Sequence, residues 1–349
     1  MIGQIHADGL RKLADDGEIV PVAAADPSPE ARAAVARNCP FDRLTADAHD
    51  VIGDPSVEAV MITTPTATHA ELVSAVVAEG KALFCEKPLA PSFDEVRRLC
   101  AAVTASGVTA QVGFHSRFHP LINRLRRTVG SGEFGRAMGY TLRDDQYWPT
   151  GDVVPGHSSW RSDRVQAGGG ALLEHSIHSA DIVSWLFGPP QRVYGRTRAV
   201  FGYEVEDVAA VTVEHASGVV GTIVSVFNGV RGREERRFEV FFERGAVEVT
   251  TDFIVGAAED GYLVQQPDTD AQRLDLAGLR ADHFASLGIT HRDFVFYTYP
   301  ADRHFMAAVR GGEHPVPGFD DALVAHSLVE AAYRSARTGT AVDVDEDFA

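Results

Sequence analysis

Residues 58–88 read EAVMITTPTATHAELVSAVVAEGKALFCEKP. An apolar run closes at Pro65. A segment with helical spacing follows and ends at Gly80. A second apolar run then leads into Glu86-Lys87-Pro88. Short, wholly apolar runs bounded by turn residues read as strands buried on both faces, and a glycine after a helical stretch supplies the left-handed residue that ends it. Strand, helix, strand at this spacing predicts two parallel strands joined by a crossover helix.

The alternation extends both ways. Toward the amino end, Ile5, Leu10 and Leu13 have helical spacing, and Gly17 is placed to cap that helix. EIVPVAAAD follows as a short strand ending in Asp26. Ser28 reads as an N-cap, with Pro29 at the first helical position and Glu30 in the first turn. Toward the carboxyl end, Ser92 and Glu95 form a capping box, Gly107 closes the helix they start, and VTAQVGF (108–114) is the last strand of the series. Residues 1–118 therefore predict a doubly wound α/β domain with a parallel sheet. From 119 to 349 the pattern changes to longer segments of alternating character separated by turns such as Ala216-Ser217-Gly218. These predict a mostly antiparallel sheet interrupted by one helix at 170–187 and followed by two helices within 303–337. The fold class expected is α/β followed by α+β.

Composition narrows the function. With 349 residues the chain has room for two cores. Its net charge of −17 argues against nucleic acid or an anionic membrane as partner. Cys39, Cys85 and Cys100 are odd in number and form no CxxC, which points to a reducing compartment. No apolar run reaches membrane-spanning length and the opening residues do not read as a signal segment, so a cytoplasmic protein is expected.

Four groups of residues could carry chemistry. Asp26, at the end of the second strand of a dinucleotide fold, would accept hydrogen bonds from ribose hydroxyls and repel a 2′-phosphate, favouring NAD over NADP. It could equally start the turn before Pro27. Lys87 stands at the carboxyl end of a strand, where ligands of open α/β sheets sit, although a surface lysine is the common case. In GGGALLEHSIHSAD (168–181), Glu174, His178 and Asp181 have the spacing of one helical face, so His178 could be a general base. A solvated helix face or a metal site using His175 and His178 are the alternatives, and no zinc motif supports the metal. Last come Arg117 in VGFHSRF, Tyr147-Trp148 and Trp160-Arg161, which suit a sugar-sized pocket or ordinary packing. There is no GxSxG and no P-loop.

The ordered set (strand to Asp26, TTPTATHAEL, EKP, VGFHSRF, WR, GGGALLEHSIHSAD) resembles the Gfo/Idh/MocA oxidoreductases, a family that includes glucose–fructose oxidoreductase and inositol dehydrogenase. The resemblance runs through FMAAVRGGEHPVPGFDDALVAHSLVEAAYRSARTG near the carboxyl end. It implies a Rossmann domain, then an open-faced α+β domain whose sheet forms a homodimer or homotetramer. It also implies hydride exchange between a nicotinamide and a carbinol carbon of a sugar, cyclitol or related polyol. By position, Lys87 matches the catalytic lysine, Glu86 its partner, and Pro88 a residue after a cis or strained bond. His178 matches the catalytic histidine. Glu174 falls where the inositol-dehydrogenase branch has Asp, and Ser176 where the family has Gly. Thr64, Pro65 and His69 match the segment beside the nicotinamide ribose. Arg117, Tyr147, Trp160 and Arg161 are the expected substrate contacts, with Glu174 and His178.

The start departs from the family. Only Ile2-Gly3 of the GxGxxG turn is present, so Gly3 reads as its third glycine and the central strand is missing. The expectation is a native chain beginning roughly ten to fifteen residues upstream, enough for one strand and two glycines. The main functional reading is an NAD-dependent dehydrogenase or reductase acting on CH–OH groups. Cleavage of a glycosidic bond through transient oxidation, and non-catalytic dinucleotide or ligand binding, are the alternatives. The acidic helix face suggests a neutral or cationic polyol.

Overall fold

A computed structural model describes residues 1–148, 159–230, 234–251, 260–291, 294, 296–311 and 314–344. Two compact units emerge. One comprises Met1–His115 with His291–Ala322, the other Ser116–Thr290 with Leu323–Ala349.

In the first unit the expected strands are parallel but fall into two sheets. β1 (Ala23–Ala25) pairs with β2 (Arg43–Thr45). β3 (Ala59–Ile62), β4 (Ala82–Cys85) and β5 (Ala110–Val112) form the other sheet, in that order. A cavity of about 550 Å³ is bounded by β1, by β3 and by the helix Ile2–Asp15.

Helix ends follow the local signals. Ser28 Oγ accepts from the Ala31 amide at 3.2 Å and Ser92 Oγ from the Glu95 amide at 3.4 Å. In the second case the Ser92 hydroxyl also donates to Glu95 Oε2 at 2.8 Å. Gly17, Gly80 and Gly107 all have φ between +66° and +72°, the left-handed region that glycine enters without steric cost. The core gathers Leu13, Val73, Val76, Leu83, Val96 and Val112, all fully buried. The helix Thr298–Gly311 joins it: the Phe305 ring packs tilted against Phe84 at 5.7 Å, and Phe84 meets the His6 ring edge-on at 5.3 Å.

The second unit is built on nine strands in the order β13-β12-β11-β10-β6-β9-β8-β7-β14. They are β6 (Ala137–Tyr147), β7 (Pro190–Arg198), β8 (Val208–His215), β9 (Val220–Asn228), β10 (Glu235–Phe242), β11 (Gly245–Thr251), β12 (Gly261–Gln265), β13 (Gln272–Arg273) and β14 (Val342–Asp343). All neighbours are antiparallel except β6 and β9. One face carries the core, where Tyr140 of β6 stacks on Phe187 at 5.1 Å. The other face is open. Register places Tyr194, Val220, Val224 and Phe241 on it, each 37–47% exposed. Among the described residues no helix is long and apolar enough to cross a membrane.

Candidate active site

The first unit presents its candidate residues at the carboxyl ends of β1, β3 and β4. Gly3 opens the first helix against the end of β3: a Cβ there would lie 2.9 Å from Thr63 Oγ1, so a larger residue would have to push that hydroxyl aside. Asp26 continues β1, its amide donating to Thr45 O at 3.2 Å. Its Oδ1 accepts from the Ser28 amide at 2.8 Å, the turn-forming role. Arg32, the nearest cation in sequence, donates to the carbonyls of Asp26 and Pro27 instead of facing outward for a phosphate.

Thr64 accepts from the Thr68 hydroxyl at 2.7 Å. The two ring nitrogens of buried His69 lie 2.8 Å from Pro88 O and 3.0 Å from Thr64 O, tying the turn after β3 to the turn after β4. The Lys87–Pro88 bond is cis, as expected. Lys87 itself is part-exposed between buried Glu86 and buried Pro88. Glu86 Oε2 accepts the Lys87 amide at 3.2 Å. Burial alone would raise the Glu86 carboxyl. His6 first, then Lys87 and His115, bring it below the ordinary carboxylate value.

Two observations fit a dinucleotide here. The helix start at Gly3 comes close to Thr63 at the end of β3, and a carboxylate ends the neighbouring parallel strand.

In the second unit two of the three glycines are explained by packing and the third, Gly168, by its φ of +81°. A Cβ at Gly170 would overlap the Glu206 carbonyl oxygen, and one at Gly169 would overlap the Tyr333 hydroxyl. The Glu206 carboxylate accepts the amides of Gly170 and Leu172 at 2.9 and 3.0 Å and the Tyr333 hydroxyl at 2.8 Å. Burial raises the Glu206 pKa above the ordinary value, against those hydrogen bonds. The loop's amides are thus held by the protein's own carboxylate.

The helix expected over 170–187 is not continuous. Ala171–His175 forms one wide π-type turn, Ser176 breaks it, and a regular helix resumes over Ile177–Phe187. Wide turns of this kind recur at functional sites. All three polar residues of the expected stripe are buried: Glu174 is 5%, His178 2% and Asp181 0% exposed. A solvated face is excluded. Glu174 lies in the wide turn, with Oε2 3.3 Å from Arg161 Nε, and the Arg161 guanidinium sits 4.5 Å over the Trp160 ring. The structure therefore gathers Trp160, Arg161 and Glu174. Asp181 goes elsewhere, into a bidentate pair with Arg117 at 2.5–3.1 Å. Trp148 is core, stacked on Phe227 at 4.5 Å, while Tyr147 is half-buried at the end of β6.

Sequence reasoning missed the support beneath this segment. Asp144 of β6 takes His175 Nε2 at 3.0 Å, Arg236 at 3.1 Å and the hydroxyls of Ser176 and Ser179 at 3.0 and 2.5 Å. Burial would raise this carboxyl. Arg236 and His175 instead hold it far below the usual range. With its proton on Asp144, Ser176 Oγ can accept from the Ser225 hydroxyl 2.6 Å away, which gives the serine at this position a use that glycine lacks. No local signal marks Asp144, because its partners lie 31–92 residues away.

Comparison with known proteins agrees with this architecture. The family model for an oxidoreductase family with NAD-binding Rossmann fold matches residues 1–114, and the GFO/IDH/MocA C-terminal domain matches residues 122–248. Inositol 2-dehydrogenase of Acidothermus cellulolyticus is 32% identical over 257 residues, 72% of this chain and 70% of that protein. The scyllo-inositol 2-dehydrogenase (NAD(+)) of Bacillus subtilis is 27% identical over 355 aligned residues, 99% of this chain and 94% of that protein. Levoglucosan dehydrogenase in complex with NADH shares the fold, with a TM-score of 0.86 at 23% identity over 99% of this chain and 96% of that one. The chain belongs to the GFO/IDH/MocA family of oxidoreductases, with an NAD-binding Rossmann fold at its amino end.

Proposed function

We propose that the protein is an NAD-dependent dehydrogenase or reductase acting on a CH–OH group of a neutral sugar, inositol or related polyol. The observation that carries this reading is the Glu86-Lys87-Pro88 turn. A part-exposed lysine stands at the carboxyl end of a parallel strand of an NAD-binding fold, with both neighbours buried and tied down. NAD, when bound, supplies the acceptor for the hydride of the carbinol carbon. Ile2, Gly3, Asp26, Thr64, Pro65, His69, Glu86 and Lys87 would hold it. Lys87 Nζ donates a hydrogen bond to the substrate oxygen and stabilises the negative charge that develops there. His178 accepts the hydroxyl proton on its imidazole. Tyr147, Trp160, Arg161 and Glu174 surround the polyol, whereas Arg117 is taken up by its bidentate pair with Asp181.

A neutral substrate follows from pairing. Glu174 has Arg161, Asp181 has Arg117, and Asp144 has Arg236 and His175, so the acidic stretch carries little uncompensated charge toward a ligand. This narrows the neutral or cationic polyol that the sequence alone suggested to a neutral one. Turnover of neutral inositols and sugars over amino and acidic sugars, measured as NADH formation, tests it. Lys87→Ala and His178→Ala should each lower turnover roughly a hundredfold or more, leaving a measurable residue, and keep NADH binding by fluorescence titration; near-normal turnover in either variant removes that residue's role.

We assign cofactor binding to the unit Met1–His115 with His291–Ala322, and substrate binding with self-association to the unit Ser116–Thr290 with Leu323–Ala349. The open sheet face, with Tyr194, Val220, Val224 and Phe241, supports a homodimer or homotetramer. Light scattering should give an oligomer that Val224→Arg dissociates; a monomeric parent protein would overturn this. Three buried free cysteines support a cytoplasmic location.

A further inference from the structure

Beneath the Lys87 turn the first unit buries three ionisable side chains that the mechanism above does not use together. His6 is 2%, Glu86 4% and Asp302 0% exposed. His6 Nδ1 lies 2.7 Å from Asp302 Oδ1, and His6 Nε2 lies 3.2 Å from Glu86 Oε1. Both ring nitrogens therefore face carboxylate oxygens, and only the imidazolium can donate to both. Burial works against that charge, but Asp302 and then Glu86 raise the pKa of His6 to about 10. The other oxygen of Glu86 accepts the Lys87 amide. Room for the carboxylate comes from Gly113, where a Cβ would lie 2.7 Å from Glu86 Cδ.

A merely structural use of this site would be better served by apolar side chains, since a buried ion cluster seldom repays its desolvation. The cluster also leaves Asp302 Oδ2 buried with no hydrogen-bond partner among the described residues, packed toward Gly9. An apolar core could supply the same stability, so fixing Glu86 is the use that calls for these particular side chains.

We propose that Asp302 and His6 are positioning residues for Lys87: Asp302 anchors the imidazolium, the imidazolium orients Glu86, and Glu86 holds the Lys87 backbone so that its ammonium group meets the substrate oxygen. This rests on the assignment of Lys87 above. It makes a residue of the helix Thr298–Gly311, 215 positions from Lys87, part of the reacting geometry.

The test uses the full chain with NAD and whichever polyol it turns over. Asp302→Asn keeps the hydrogen-bonding shape and removes the charge. It should lower kcat about tenfold or more, leave the NADH Kd from fluorescence within about twofold, and be partly rescued by Asp302→Glu. In a Lys87→Ala background the same change should add no further loss, because its effect passes through Lys87; a structural role would lower residual turnover and NADH binding independently. In the unaltered protein, nitrogen-15 NMR in mildly alkaline buffer should show both ring nitrogens of His6 protonated. Unchanged kcat in Asp302→Asn, additive loss in the double variant, or a neutral His6 ring overturns the proposal. Full turnover in Lys87→Ala would instead overturn the assignment on which it rests.

Discussion

Placing a methyl group at Gly170 tests the glycine-led segment directly. A Cβ there would overlap the Glu206 carbonyl oxygen and lie 2.8–2.9 Å from that residue's backbone carbon and nitrogen. Every obstructing atom is backbone, so no side-chain rotation relieves the clash, and the loop must move away from Glu206. Moving it breaks three hydrogen bonds: Ala171 N to Glu206 O at 2.9 Å, and the Gly170 and Leu172 amides to the carboxylate at 2.9 and 3.0 Å. A buried amide left unpaired costs about 1–3 kcal/mol. With partial solvation of the displaced loop, Gly170→Ala should cost roughly 3–5 kcal/mol, a large share of the ~5–15 kcal/mol that holds a domain together. Gly17→Ala is the control. It has φ of +72° with nothing within 4 Å of the added atom, and should cost only about 1–2 kcal/mol. Urea unfolding measures both. Because the same loop leads into Glu174 and His178, substrate KM should rise in Gly170→Ala while NADH affinity holds. A loss below about 1 kcal/mol with unchanged KM would refute the claim that Glu206 sets this segment.

Other perturbations probe separate parts of the account. The pKa of His6 is raised from 6.5 to about 10, so its contribution to stability is complete below pH 6.5 and is lost as pH rises through 10. The shift sets a ceiling of about 5 kcal/mol on that loss, and unfolding free energies across this window should flatten in His6→Gln; an unchanged slope would show that another group carries it. Extending the chain before Met1 with a five-residue apolar strand and a Gly-x-Gly turn should fill the 550 Å³ cavity bounded by β1 and β3. Parallel pairing to both strands should raise Tm by several degrees and tighten NADH binding, and no change in either would mean the cavity does not accept a strand. Arg161→Ala leaves Glu174 without the cation seen at 3.3 Å, so the KM of a neutral polyol should rise about tenfold and that of an amino sugar should rise less. Equal effects on both would contradict the pairing argument.

Much of the fold was written in short-range signals. Ser28, Ser92, Gly80 and Gly107 each mark a helix end by chemistry that acts within four residues, and each behaves in the structure as its neighbours dictate. Continuous apolar runs located the parallel strands for the same reason. The wide turn at Ala171–His175 was illegible because Glu206 and Asp144, distant in sequence, decide it. Spacing alone placed Glu174 and His178 on one helical face and could not show the break at Ser176. Nor could it show that each acid near the candidate site already has its cation. The His6–Asp302 contact, across 296 positions, has no local trace at all.

The central claim is hydride exchange between a polyol carbon and nicotinamide, with Lys87 at the substrate oxygen. A polyol deuterated at the reacting carbinol carbon, incubated with NAD and the full chain, measures it most directly. Mass spectrometry should find the deuterium in NADH, with transfer much slowed in Lys87→Ala while that variant still binds NADH. Polyol consumed with no net NADH, or transfer undiminished in Lys87→Ala, would contradict the account.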